Sequence, residues 1–345
     1  MHISRRLIVT SVATLTIGLA ACSAADPESS GQPSAAEDTT VTVYSGRSEE
    51  LVGPLLEQFT EATGVEVEAR YGDTAEMANL ILTEGENSPA DVFFAQDAGA
   101  LGALAAEGLL ATLPNETLER VDERFRSPSG EWVGVSGRAR VVVYNTDVLS
   151  ESDLPDSIFD FTDPGWSGRI GWAPTNGSFQ SFVTALRVIE GEDRAREWLE
   201  GIEANDPSVY EGNNPALDAV IAGEIDVAFI NHYYLMQRLV EDPDAPAANY
   251  FLTDGDAGAL VNVAGAGILT TAANDEAARQ LVDFLLSTQA QGYFATETKE
   301  YPLVEGVEPD AELPPLESIG TPEIDLSNLS DLEGNLELLQ EAGIL

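Results

Sequence analysis

Strand-period and helix-period segments alternate along most of this chain, and that alternation constrains the fold more than any single residue does. Thr40 to Tyr44 alternates like a half-buried strand, and Glu50 to Gly64 follows with Leu51, Leu55 and Phe59 on one helical face and a closing glycine. Val65 to Arg70 alternates again. A helix is expected around Ala75 to Leu82, a buried strand at Ala90 to Ala95, and another helix at Ala98 to Glu107. A second series begins near Arg169-Ile170-Gly171-Trp172, continues through a helix from Phe179 to Glu190, and includes a strand from Asp226 to Asn231. Such a pattern predicts an α/β fold with helices packed on a largely parallel sheet. Two α/β halves leave a cleft between them, where ligand sites preferentially lie. The strands near Arg140 to Tyr144 and Ala259 to Val263 are the expected crossings, and no internal repeat is visible.

The segment before Thr40 reads differently. Arg5 and Arg6 precede an apolar run from Leu7 to Ala20 that closes in Leu19-Ala20-Ala21-Cys22. This is a secretory signal over residues 1–21, too short and wrongly flanked for a membrane span. Cys22 is the only cysteine and stands where a lipobox places the residue that receives diacylglycerol. A lone thiol offers neither a disulfide nor a thiolate metal site. Ser4-Arg5-Arg6 partly matches a twin-arginine export signal. Residues 22–39, rich in Ser, Ala, Pro, Asp and Glu, are expected to form a disordered, lipid-anchored tether. The roughly 300 residues that remain suit two domains or one large split domain.

The formal charge is −44, with Lys299 as the only lysine. So acidic a surface stays hydrated in salt, which reads as adaptation to saline surroundings or a composition bias, and bears on solubility rather than fold. Nucleic acid is excluded as a partner, because no basic patch exists to displace counterions from phosphates.

Two stretches carry chemistry. Thr175-Asn176-Gly177-Ser178 precedes the helix-period run Phe179, Phe182, Val183, Leu186. It reads either as an ordinary N-cap or as a loop that aims N–H groups and hydroxyls at an anion on the helix N-terminus. Tyr233 and Tyr234 follow Asn231 and His232. They read either as aromatic anchors at a strand end or as two ligands for a hard cation, which would bind them as phenolates despite an ordinary phenol pKa of about 10. Neighbouring side chains on a regular strand point to opposite faces. Both phenols can therefore reach one ion only where the backbone leaves the strand, as at a strand-to-helix turn.

Across residues 40–345 the chain resembles the periplasmic ferric-ion-binding proteins, the substrate-binding components of iron(III) ABC importers. The resemblance is carried by Val43-Tyr44-Ser45-Gly46-Arg47, Ser88-Pro89-Ala90-Asp91-Val92-Phe93, Ser136-Gly137-Arg138-Ala139-Arg140-Val141, Gly223-Glu224-Ile225-Asp226 and Glu300-Tyr301-Pro302-Leu303, in family order. It implies a two-lobe, type II periplasmic-binding-protein-like fold, its lobes joined by crossing strands. Lobe 1 would cover residues 40–138 with 263–311, and lobe 2 residues 139–262 with 312–345. The family's tyrosine pair falls on Tyr233 and Tyr234, and its anion-binding residues on Asn176, Gly177, Ser178, Asn213 and Asn231. Where some members carry a metal-binding histidine and glutamate, this chain has Ser48 and Gln96, neither of them a strong ferric ligand.

Iron(III) with two phenolates keeps one positive charge, and a carbonate or phosphate dianion turns that to one negative. Arg47, at the tip of the first strand, is the expected compensating cation, with Arg138 the alternative. Tyr44, Tyr71, Tyr144 and Tyr210 are either further phenolates or core and surface residues. His232, the only histidine after the signal segment, is expected to support the ligands rather than bind, since three consecutive ligands on one turn crowd each other.

The resemblance thus implies an extracytoplasmic lipoprotein, monomeric and not an enzyme, anchored through Cys22. It would capture Fe(3+) with carbonate or phosphate and deliver it to an ABC permease in the membrane. Related two-lobe proteins bind polyamines, thiamine, phosphonates or other oxyanions, so the same fold with another cargo is the nearest rival. A secreted hydrolase is disfavoured: the chain has no Gly-x-Ser-x-Gly elbow, no His-Glu-x-x-His site, and one mature histidine for acid/base work. An adhesive or structural lipoprotein would need no small-ligand cleft.

Overall fold

The computed structural model describes residues 40–345; the signal segment, Cys22 and the tether lie outside the described residues. The chain opens as β1 (Thr40–Ser45), α1 (Glu49–Thr63), β2 (Glu66–Tyr71), α2 (Thr74–Glu84), β3 (Val92–Ala95) and α3 (Ala98–Ala106). Helix α1 stops where expected: Gly64 takes a left-handed φ of 77° and its N–H bonds to the Thr60 carbonyl, a geometry that only glycine adopts without cost. A short helix α4 (Asn115–Leu118) leads to the long strand β4 (Val133–Asn145). The second series is β5 (Ile170–Trp172), α5 (Gly177–Glu190), α6 (Glu192–Glu203), β6 (Ser208–Val209), α7 (Asn213–Ala222), β7 (Val227–Asn231), α8 (His232–Glu241) and β8 (Ala247–Tyr250). Then come β9 (Val261–Ile268), α9 (Asp275–Leu285), α10 (Thr288–Tyr293), β10 (Tyr301–Pro302) and α11 (Leu332–Glu341).

The strands form one sheet in the order β2-β1-β3-β9-β4-β7-β5-β6, with β8 and β10 also paired to β4. Pairing is parallel only at the two ends, β2/β1/β3 and β7/β5/β6. Strands β9 and β4 run antiparallel to their neighbours in the middle, so the sheet is mixed rather than largely parallel. Strand β4 changes partner along its length. Residues up to Ala139 pair with β9, and those from Arg140 onward pair with β7.

Burial follows from the layers. Strands β3, β4 and β9 are buried at every residue, as expected where helices cover both faces. Strand β2 is an edge, and its Glu66, Glu68 and Arg70 alternate with Val67, Ala69 and Tyr71, which lean on the core. Such charged alternation discourages pairing with another chain. Along β4, Val141 and Val143 join a core under α7 and α8, whereas Val142 and Tyr144 join the main core on the opposite face.

The C-terminal segment touches helices of both series. Its turn Leu326–Ser330 lies on α3, where Gly102 lets the backbone approach so closely that a β-carbon would sit 2.5 Å from the Ser327 carbonyl oxygen. Helix α11 packs on α5, and Arg187 there bonds Asp331 at 2.9 Å. Among the described residues no helix is long and apolar enough to cross a membrane.

Candidate functional site

Strand β7 ends at Asn231 and α8 begins at His232, so the tyrosine pair occupies the first helical turn. Leaving the strand there brings both rings to one side. Their centroids lie 4.3 Å apart at an interplanar angle of 28°, which a continued strand would forbid. Tyr233 is buried and Tyr234 half-buried. Burial first, then the neighbouring Tyr234, holds the Tyr233 phenol well above its ordinary pKa, against the pull of Arg138 and Arg47.

His232 is not free to bind metal. Its Nδ1 accepts the Ala139 N–H at 3.1 Å and its Nε2 contacts the Lys299 carbonyl at 2.9 Å. Both bonds form at once only in the neutral ring with the proton on Nε2. Burial lowers its pKa to about 4, despite the raising effects of Glu300 and the two backbone partners. Both ring nitrogens are thus spent on backbone groups.

Next to the phenols, the change of partner along β4 gathers guanidinium groups. Arg138 and Arg140 stand two residues apart, on one face of the strand. Both are buried. Arg140 donates to Asn231 Oδ1 at 3.3 Å and to the Phe229 carbonyl at 2.9 Å. Burial and the adjacent Arg138 lower its pKa to about 9, while the two phenols act to raise it. Arg138 Nε and Nη2 and Asn231 Nδ2 are buried without a hydrogen-bond partner. Polar groups so placed are costly unless something accepts from them, and an anion with several oxygens fits such a donor set. Asp97, the N-cap of α3, is held above its ordinary pKa by burial, which Arg138 and backbone N–H groups oppose.

Arg47 is engaged elsewhere. It is fully buried and makes a two-pronged pair with Glu300, at 2.8 and 2.9 Å. Burial alone would raise the Glu300 pKa, but Arg47, Arg138 and a Thr298 hydrogen bond outweigh it and hold the carboxyl below its usual value. The expected compensating cation already has a counter-charge and keeps only its Nε open, whereas Arg138 has two open nitrogens, Nε and Nη2.

The loop before α5 forms an N-cap. Asn176 caps the helix, its Oδ1 accepting from Ser178 N–H at 3.1 Å and Ser178 Oγ at 2.6 Å. Asn213 Nδ2 joins the same cluster, 3.3 Å from both Asn176 Oδ1 and Ser178 Oγ, and its Oδ1 has no partner. Gly177 is exposed at the first helical position. Ser48 caps α1, exposed and without a side-chain bond. The Gln96 N–H donates to Thr74 Oγ1. Among the described residues no group of three or more His, Cys, Asp or Glu is placed to hold a metal. The Tyr44 hydroxyl donates to Glu84 at 3.1 Å, a structural contact.

Glu300 and Arg140 carried no assigned role in the sequence reading. Two arginines spaced i, i+2 within a wholly buried strand were the available signal for Arg140. Glu300 stands in a segment that carries the family resemblance, but nothing local gives it a role, since its partner is 253 residues distant.

Residues 87–320 match the family model for bacterial extracellular solute-binding proteins. The chain is 37% identical over 309 residues to the major ferric iron-binding protein of Neisseria meningitidis, covering 88% of this chain and 93% of that one. Iron-bound HitA from Pseudomonas aeruginosa superposes with a TM-score of 0.84 at 35% identity, covering 88% of this chain and 99% of HitA. The Trichodesmium protein IdiA (FutA), solved with iron and citrate, superposes with a TM-score of 0.77 at 30% identity, covering 89% and 100%. The chain belongs to the bacterial extracellular solute-binding proteins, within the periplasmic ferric-ion-binding family.

Proposed function

We propose that this protein captures ferric ion together with a synergistic carbonate or phosphate and delivers it to the permease of an ABC importer. The observation that carries the reading is the stacked pair Tyr233 and Tyr234, turned to one side by the start of α8 and set beside the open donors of Arg138. Ferric ion is a hard Lewis acid, and phenolate oxygens are hard ligands. The names of the relatives point to the same cargo.

In this reading the anion lies between the metal and Arg138, with Asn176, Gly177, Ser178, Asn213 and Asn231 around it. The anion's two negative charges turn the metal–diphenolate cation to one negative, which the charge of Arg138 balances. The Arg47–Glu300 pair is internally neutral and tunes the field from behind this arrangement. Lobe 1 (40–138 with 263–311) and lobe 2 (139–262 with 312–345) close about the crossing strands by hinge motion, and no turnover follows. Export by residues 1–21 and acylation of Cys22 hold the monomer at the outer face of the membrane.

The test is optical. Ferric ion added to the purified, metal-free protein should give a visible tyrosinate-to-iron charge-transfer band that needs carbonate or phosphate. A colourless protein under all these conditions rejects the reading and favours an oxyanion or organic cargo.

A further inference from the structure

Three consecutive residues, Thr298, Lys299 and Glu300, join the tyrosine helix to the first strand. A π-helical turn, Phe294–Thr298, ends at Lys299, whose φ of 62° is left-handed. For a residue with a β-carbon that conformation persists only where the surroundings over-determine it, and π-turns recur at functional sites. Here the turn presents two successive carbonyls to α8. The Thr298 carbonyl accepts from Gln237 Nε2 at 3.0 Å, and the Lys299 carbonyl takes the His232 Nε2 contact. The Lys299 ammonium is tied back to Asp310 at 2.8 Å. The next side chain faces the other way. Glu300 accepts from both Arg47 nitrogens, from Ser136 Oγ at 3.1 Å and from Thr298 Oγ1 at 3.0 Å, and is sealed from water. Arg47 in turn lies close enough to feel the charge of both phenols.

We propose that Glu300 is a positioning residue for the cargo site, the fixed point through which this tripeptide sets the tyrosine helix against a charge-neutralised Arg47. The inference rests on the ferric reading above and adds a carboxylate that touches neither metal nor anion. It has two separable consequences. The carboxylate supplies a negative charge that favours iron(III) over iron(II), and the carbonyls beside it hold α8 in place for slow release.

The mature protein, loaded with ferric ion and carbonate, is compared with variants by reduction potential and by the rate of iron transfer to excess EDTA. Glu300→Gln should give a more positive potential, because a nearby negative charge is gone. Gln237→Leu leaves every charge in place, so it should keep the parent potential but release iron roughly threefold to tenfold faster, the range of one ordinary hydrogen bond. If Glu300→Gln does not fold, the double variant Arg47→Met with Glu300→Met leaves no unpaired buried charge. It should keep a potential near the parent's while releasing iron faster. An unchanged potential in Glu300→Gln, or unchanged release from Gln237→Leu or the double variant, overturns the proposal. A parent that takes up no ferric ion overturns the ferric reading itself, before any substitution is made.

Discussion

Arg140 reaches across the β4–β7 pairing to give Asn231 Oδ1 a hydrogen bond at 3.3 Å, leaving Asn231 Nδ2 without a partner, and two residues along β4 Arg138 also has open donors. The fold thus buries donors and holds them ready. Arg138→Met tests what they are for. Removing incompletely satisfied buried donors should raise the melting temperature of the metal-free protein. It should also weaken anion-dependent ferric retention by roughly tenfold or more, given about 1.5–3 kcal/mol for a hydrogen bond to a charged group. Loss of stability with unchanged retention would assign Arg138 a purely structural role.

Arg47 should behave in the opposite way. Arg47→Ala strands the buried Glu300 carboxylate, and breaking a buried pair costs about 3–5 kcal/mol, so the first defect should be in stability, read by urea unfolding. Gln96→Ala should change ferric binding little, because a neutral amide is a poor ferric ligand. A larger binding defect at Gln96 than at Arg138 would mean that the metal shell is completed from the first lobe.

The pH dependence of the metal-free protein should carry the signature of His232. Its pKa is about 4 in the fold against an ordinary 6.5, so between these values the unfolded chain binds a proton that the fold refuses. Its contribution is complete above about pH 6.5 and declines as pH falls toward 4, by on the order of 3 kcal/mol in all. Glu300, depressed by its partners, loses its contribution at lower pH still. Unfolding at pH 7 and pH 4.5 should show a steeper loss in the parent than in His232→Gln. Equal losses would place the acid sensitivity in the carboxylates alone.

Cys22 is tested by fractionation. Cys22→Ser should leave the protein unprocessed or release it from the membrane fraction, since no thiol remains to take the lipid. Unchanged processing and membrane association would remove the lipoprotein assignment.

The residues legible from sequence were those whose chemistry is local. Tyr233 and Tyr234 announce themselves by adjacency, and the helix that brings them together follows a strand whose end Asn231 marks. Gly64 and the apolar spacing of Leu55 and Phe59 likewise predict α1 to within a residue at each end. Arg47 was legible as a buried-site cation but not as half of a pair, because its partner comes from the far end of the chain. The π-turn before Lys299 has no sequence period of its own; it exists because tertiary bonds to α8 and Arg47 over-determine it. The parallel sheet expected from strand–helix alternation became mixed because β4 and β9 are shared between two series, a relation that no local window contains.

The tyrosine pair carries the ferric assignment most directly. Ferric ion is titrated into the mature parent, Tyr233→Phe and Tyr234→Phe in carbonate buffer, with the visible spectrum and bound iron measured together. Phe keeps each ring in its stack and removes only the oxygen, so all three proteins should fold alike. The parent should develop the charge-transfer band with one iron bound, and each variant should lose the band and most of its ferric affinity. Parent-like colour and iron content in both variants would contradict the site.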